Sequence, residues 1–304
     1  MNRMSKSIIR LLETHREFRE CEAAQRSIWG GLSVSAEVML VAQKTGGAVL
    51  GAFVKGEFAG FLFALLARRN SEIIHWSHMM GVLPEYRDRG LGFQLKLAHR
   101  KIALSQGIKS ICWTYDPLQS RNASLNLTRL GALVEEYVVN YYGRFPSVIE
   151  KGLPSDRFVV NWRIASKRVE RCLTMGSHGR NVTDAPIVNA VRRDNRGFLL
   201  NRKIDLDCRS RRLLVEVPFN TDDMRTNDLQ LARNWRLQTR KIFVNYLSKG
   251  YRVAGFFARS EGSCGPRCFY LLQQSRLANS ASDCPVSILR GGKVLSLGLV
   301  PRVK

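Results

Sequence analysis

Val82-Leu83-Pro84-Glu85-Tyr86-Arg87-Asp88-Arg89-Gly90-Leu91-Gly92-Phe93 is the stretch that decides how the rest of the chain is read. Before it runs Ile73-Ile74-His75-Trp76-Ser77-His78-Met79-Met80, apolar, bulky and strand-like. After it, Phe93, Leu95, Leu97, Ala98, Ile102 and Leu104 fall on helical spacing up to Ser105. Strand, glycine-bearing turn and helix in that order build an anion site. Gly90 and Gly92 let backbone come close to a ligand, and a helix start offers unpaired N–H groups at the positive end of its dipole. Arg87 and Arg89 add charge. Such a turn suits a pyrophosphate.

Two other phosphate loops are excluded. The dinucleotide fingerprint Gly-x-Gly-x-x-Gly fails because Leu95 stands at the third glycine position, and no ribose-binding acid follows a second strand. The nucleotide P-loop fails because no Gly-Lys-Ser/Thr follows. Arg87-Asp88-Arg89-Gly90-Leu91-Gly92 instead resembles the acyl-CoA loop of the GNAT acetyltransferases, Gln/Arg-x-x-Gly-x-Gly/Ala, and Val82-Leu83-Pro84-Glu85-Tyr86-Arg87 resembles its lead-in. The likeness runs on through Gly107, the strand Ser110 to Tyr115, Asn122-Ala123 and Leu130-Gly131-Ala132, covering about Ile8 to Tyr142.

The resemblance implies an α/β fold with a GNAT-type mixed central sheet flanked by helices. It implies an acyl-CoA as co-substrate, acetyl-CoA or a larger one such as succinyl-CoA, and direct transfer to a primary amine of a small-molecule or protein acceptor. No metal is required. It further implies cofactor contacts from the backbone of Met80 to Val82, from Arg87, Asp88, Arg89, Gly90, Leu91 and Gly92, and from Asn122, whose other reading is a helix cap.

The 304 residues allow one large domain or two. Net charge is +23, unevenly spread: residues 1–150 hold 19 Lys/Arg against 13 Asp/Glu, and the remainder holds 29 against 12. Part of this charge can steer an anionic acyl-CoA. The excess after residue 150 leaves open a second reading, a non-catalytic CoA-binding protein that uses its basic half on RNA or another polyanion. Against it, the basic residues are not interleaved with an RNA-binding aromatic motif.

Seven cysteines are too sparse for a secreted disulfide framework, and Cys264-Gly-Pro-Arg-Cys268 has no second pair or histidine nearby to complete a metal site. The longest apolar run, Ala59 to Ala67, is too short to cross a bilayer, and the first residues lack a secretory pattern, so the chain reads as cytoplasmic.

In order, the spacing predicts strand Ser7–Leu12, helices Arg16–Trp29 and Ser35–Lys44, a hairpin of Ala48–Val54 and Phe58–Leu66 turning at Lys55-Gly56-Glu57, and the strand, loop and helix already described. Strand Ser110–Tyr115 then closes a parallel crossover. Helix Ser120–Leu130 ends at Gly131, and strands Leu133–Tyr142 and Arg157–Ile164 follow. This sets a domain over 1–165. Asp116-Pro117-Leu118-Gln119-Ser120-Arg121-Asn122-Ala123, Gly152 to Arg157, Glu216-Val217-Pro218, Trp235-Arg236 and Gly250 to Val253 resemble one branch of bacterial and archaeal GNAT-like proteins. Residues 166–195 read as a connecting segment, 196–274 as a second, smaller α/β unit built round a long helix within Asp222–Lys249, and 275–304 as a basic tail of poor order.

Acylation of an amine needs a base, a polarised carbonyl and a proton for the thiolate. Two-residue strand periodicity puts Trp76, His78 and Met80 on one face, with His75 and Ser77 on the other. His78 is the first candidate base, against the plainer reading of a packed strand histidine; His75 is the weaker choice. The resemblance implies a tyrosine general acid four residues before Gly131, where this chain has Leu127. Tyr115, Tyr141 and Tyr142 are the alternatives, each also readable as core, and Tyr115 stands first.

Overall fold

The computed structural model describes residues 7–31, 33–69, 71–143, 152–175, 184–260 and 266–275. The N-terminal lobe opens with β1 (Ser7–Leu11), α1 (His15–Trp29) and α2 (Ala36–Lys44). Thr14 and Glu17 form a reciprocal capping box at the start of α1, and Gly30 ends it in the left-handed conformation. The hairpin of β2 (Ala48–Val54) and β3 (Glu57–Arg69) turns through Lys55 and Gly56, both at positive φ, the twist that a two-residue turn requires. β4 (Glu72–Val82), α3 (Leu91–Ser105) and β5 (Ser110–Tyr115) make the parallel crossover that the spacing predicts. Gly107, at φ 75°, follows α3, and the Ile108 N–H closes back on the Ala103 carbonyl.

Among the described residues ten strands form one sheet. Its order is β1-β2-β3-β4-β5-β7-β6-β11-β12-β10, with β6 (Leu133–Val138), β7 (Arg157–Arg163), β10 (Arg212–Val217), β11 (Tyr251–Ser260) and β12 (Pro266–Gln274). Neighbours are antiparallel except β4 and β5. On one face Leu95 of α3 packs on Ala48, Leu50, Leu62 and Ala64. On the other, Phe18, Cys21 and Met39 of α1 and α2 pack on Phe61 and Phe63.

The second α/β unit shares both sheet and core with the first. β11 meets β6 at Val253 and Val134, and α7 (Leu229–Ser248), preceded by α6 (Thr221–Asn227), lays Trp235, Ile242, Phe243 and Tyr246 into a cluster that includes Tyr137, Phe158 and Tyr270. Arg236 pairs with Asp116 at 2.5 Å, and Arg240 grips Asp156 through two 2.8 Å bonds while the Tyr137 hydroxyl donates to the same carboxylate. Burial alone would raise the Asp116 carboxyl, but the Arg236 guanidinium outweighs it and holds the pKa down.

Three expectations need correction. The segment 166–195 carries α5 (Lys167–Met175) and β8 (Asn189–Arg193), the latter paired with β9 (Leu199–Ile204) in a separate hairpin. α5 is held by few apolar contacts, with Val169 and Cys172 buried and Arg168 donating to the carbonyls of Gly131 and Ala254. The helix after Asp116 is α only over α4 (Ser120–Ala123), then widens to a π turn over Ser124–Arg129. β6 stops at Val138, four residues early, because Asn140 turns at φ 51°. Most of the 275–304 tail, Cys264 and Cys284 lie outside the described residues.

Candidate functional site

The site forms where β4 and β5 part. The two strands pair only at His75–Ile111 and Trp76–Cys112. Beyond that point β4 continues through Ser77 to Val82 with β3 on one side and no strand on the other, while β5 continues to Tyr115 bonded to β7. A wedge therefore opens between them, edged by Met80 to Val82 on the side of β4 that pairs with no strand, where the resemblance expects the cofactor arm.

At the wide end of the wedge sits the loop into α3. Asp88 and Gly90 take positive φ, 60° and 77°, and Gly90 is the residue from which α3 starts. Among the described residues, no backbone carbonyl accepts from the N–H groups of residues 88–92. A Cβ built on Gly90 would meet nothing within 4 Å, and one on Gly92 only the Met80 Cε at 3.6 Å. The glycines thus face open space over convergent donors, the shape an anion needs. Leu91 is buried and anchors the turn.

The cations of this loop are disposed unevenly. Arg87 turns back to the Val82 carbonyl at 3.2 Å and Arg89 to the Glu85 carbonyl at 3.0 Å, with its guanidinium over the Tyr86 ring. Asp88 reaches Arg121 at 3.8 Å, which brings the start of α4 to the loop. Exposed Asn122 is beside it, inside α4 rather than at its cap, which Gln119 occupies. Arg129 lies over the ring of Phe93, in the first turn of α3. Sequence reasoning points to neither Arg121 nor Arg129; the adjacency of Arg121 to Asn122 is the one signal that could have found the former.

His78 occupies a β-bulge. Phe63 pairs with Met79 and Ala64 with Ser77, so His78 has no partner on β3. The extra residue breaks the two-residue alternation on which the shared face of Trp76, His78 and Met80 was expected. His78 stays on the α1–α2 face, its ring against Phe63 at 5.9 Å, and Met79 joins it there, while Met80 turns to the α3 face beside Leu62 and Leu95. The imidazole is solvent-accessible but surrounded by protein on its other sides, and this desolvation lowers its pKa. A neutral imidazole beside the wedge can accept a proton.

The other candidates lie apart. His75 is fully buried on the α3 face. Tyr115 points into the core beside Phe158 and Tyr270, its hydroxyl enclosed and its pKa raised by burial. Leu127 is core. Tyr142 lies nearer the open face, with its hydroxyl 3.2 Å from Thr114 Oγ1 and its ring edge-on to Tyr141. Among the described residues no cluster of three His, Cys, Asp or Glu could hold a metal, and no helix is long and apolar enough to cross a membrane.

The profile of the acetyltransferase (GNAT) family matches residues 11–132. No curated protein matches the chain. Among solved structures, the ribosomal-protein-S18-alanine N-acetyltransferase of Escherichia coli is similar over 53% of this chain and 96% of its own, at 16% identity and a TM-score of 0.44. A GNAT-family acetyltransferase of Streptococcus pneumoniae is similar over 51% and 98%, at 19% and 0.43. Naa50 of Arabidopsis thaliana, solved with a bisubstrate analogue, is similar over 51% and 97%, at 14% and 0.42.

Proposed function

We propose, from the match of residues 11–132 to the acetyltransferase (GNAT) family profile, that the chain is an acyl-CoA-dependent N-acyltransferase. The observation that carries the reading is the run of unpaired N–H groups at residues 88–92 opening onto the β4–β5 wedge. The pyrophosphate sits on these N–H groups and on the positive end of α3, with Arg121 and Arg129 supplying further charge at the rim. The amide-bearing arm of the donor runs along the free edge of Met80 to Val82, which brings its thioester toward the narrow end of the wedge.

The acceptor amine approaches from the α1–α2 face, where His78 takes its proton directly or through a water. Acetyl-CoA is the donor of first choice and succinyl-CoA fits the same loop, because both present the same pyrophosphate. Calorimetry tests the reading: CoA should bind the wild type and fail to bind Gly90→Glu, which places a carboxylate where the phosphate must come. Unchanged CoA affinity in a folded Gly90→Glu protein would overturn it.

A further inference from the structure

Where β4 and β5 separate, a lysine is buried under the point of parting. Ser77 and Trp113 are the first residues past the last β4–β5 pair. Lys96, on α3, donates from Nζ to Ser77 Oγ at 3.0 Å and lies 3.6 Å from the Trp113 ring centroid, so one ammonium touches both strands there. The residue is 2% exposed, and no carboxylate pairs with it among the described residues. A buried amine without a counter-charge is expensive to keep, and a leucine or methionine would fill the same space.

The groups facing Lys96 are Ser77 from β4, Trp113 from β5 and His99 one turn along α3, with His75 of β4 bonded to His99. The Gly46 carbonyl, 3.0 Å from His75 Nε2, can only accept, so that nitrogen carries the proton. His75 Nδ1 then accepts from His99 Nε2 at 2.9 Å. His99 Nδ1 is left as a buried acceptor with no partner. Both imidazoles are held neutral chiefly by burial, and Lys96 adds to the effect at His99. Lys96 is therefore the cationic proton carrier of this cluster, and burial pushes its pKa down to about 7.

We propose that Lys96, acting through Ser77, supplies the proton to the sulfur of the departing CoA at the narrow end of the wedge. This rests on the acyl-CoA reading above. The bond directions suit proton delivery, since Ser77 Oγ accepts from Lys96 and its own hydrogen has no acceptor among the described residues. As the acceptor nitrogen forms the C–N bond, the C–S bond breaks and its electron pair goes to sulfur. Ser77 passes its proton to the sulfur and takes one from Lys96. The acceptor nitrogen releases a proton to His78 and on to solvent, and Lys96, left neutral, is reprotonated from water entering the wedge as CoA leaves. Lys96 is a positioning and proton-supplying residue, and Ser77 is the group that touches the sulfur. The pair meets the requirement that Leu127 leaves open.

The test uses CoA itself and needs no acceptor. CoA is bound to the wild type, to Lys96→Met and to Ser77→Ala, with occupancy fixed by calorimetry, and ionisation of its thiol is followed by thiolate ultraviolet absorbance against pH. A cation within reach lowers a thiol pKa by about 1–3 units. The wild-type complex should therefore ionise at least about one pH unit below the Lys96→Met complex, with Ser77→Ala between them. Superimposed titration curves for wild type and Lys96→Met, with CoA bound to both, would overturn the role of Lys96 and leave the acyl-CoA reading standing. Failure of CoA to bind the wild type would overturn both. Lys96→Met removes a buried charge and should remain folded; a melting curve on each variant checks this.

Discussion

Lys96 also has a signature in stability. Its pKa near 7 in the folded chain lies below its ordinary 10.5, so between those values the unfolded chain holds a proton that the folded chain lacks. Stability therefore rises as pH rises through that window; the cost of the lysine is full below about pH 7 and gone by about 10.5. Lys96→Met should stabilise the protein by roughly 2–4 kcal/mol near pH 7, after loss of the Ser77 bond and the Trp113 contact, and by almost nothing near pH 10.5. Urea melts at the two pH values measure this, and a destabilised variant at pH 7 would contradict it. For His78, whose pKa is lowered by desolvation, the acid limb of the rate profile should fall below the ordinary value of about 6.5. His78→Ala should reduce turnover by roughly a hundredfold while CoA affinity holds. A surviving activity with the wild-type pH profile would retire His78 as base. The loop residues were legible because the spacing of Gly90 and Gly92 is itself a statement about φ and a helix start. Lys96 and His99 left a fainter signal: they share the buried stripe of α3 with Leu95 and Ala103, yet a lysine on a helix reads as a solvated face until the packing is known.

At the scale of elements, strands and helices announced themselves through apolar runs, helical spacing, the hairpin signal at Lys55-Gly56-Glu57 and the glycines at 30 and 107, whereas the Thr14 cap came only with the structure. The bulge at His78 did not announce itself, because an inserted residue looks the same as its neighbours and is fixed only by the register of β3. It corrected the face assigned to Met80. α5 was hidden for another reason: Val169, Cys172 and Leu173 do fall at helical spacing, but the polar, basic surroundings masked this short stripe, which packs close to Gly131, whose added Cβ would meet Cys172 Sγ at 2.8 Å. Gly131→Ala should therefore push α5 off the π turn and cost about 2–4 kcal/mol, from left-handed strain at φ 70° together with overpacking. Gly90→Ala meets open space and should cost only about 1 kcal/mol, from its φ of 77°. Chemical denaturation of the two variants would decide, and equal losses would show that contact with α5 contributes nothing.

One ten-stranded sheet joins the two halves, beside the separate β8–β9 hairpin, and charge is unevenly spread along the chain. The β8–β9 hairpin carries exposed Arg192, Arg193, Arg202 and Lys203, remote in sequence from the CoA loop. Reversing these four to Glu should leave CoA affinity at physiological salt within about twofold, since the hairpin adjoins β10, with five strands between β10 and β4, and exposed charges beyond a Debye length of about 8 Å are screened. Any retention of a single-stranded oligonucleotide should fall steeply with salt in the wild type and disappear in the reversal. Tight oligonucleotide binding that survived the reversal would move the basic surface elsewhere. The two halves meet in a knot of rings, Tyr137, Phe158, Phe243 and Tyr270, with Phe158 and Phe243 centroids 4.7 Å apart. Phe158 comes from β7 and Phe243 from α7, so the ring contributed by the C-terminal half closes the core under the strands that border the wedge. Phe243→Ala should cost about 3–5 kcal/mol. If the halves unfold together, hydrogen exchange in this variant will lose protection in β5 and β7 as much as in β11 and β12. Loss confined to β10, β11 and β12, with β5 and β7 as protected as in the wild type, would mean that the C-terminal strands fold as an independent unit.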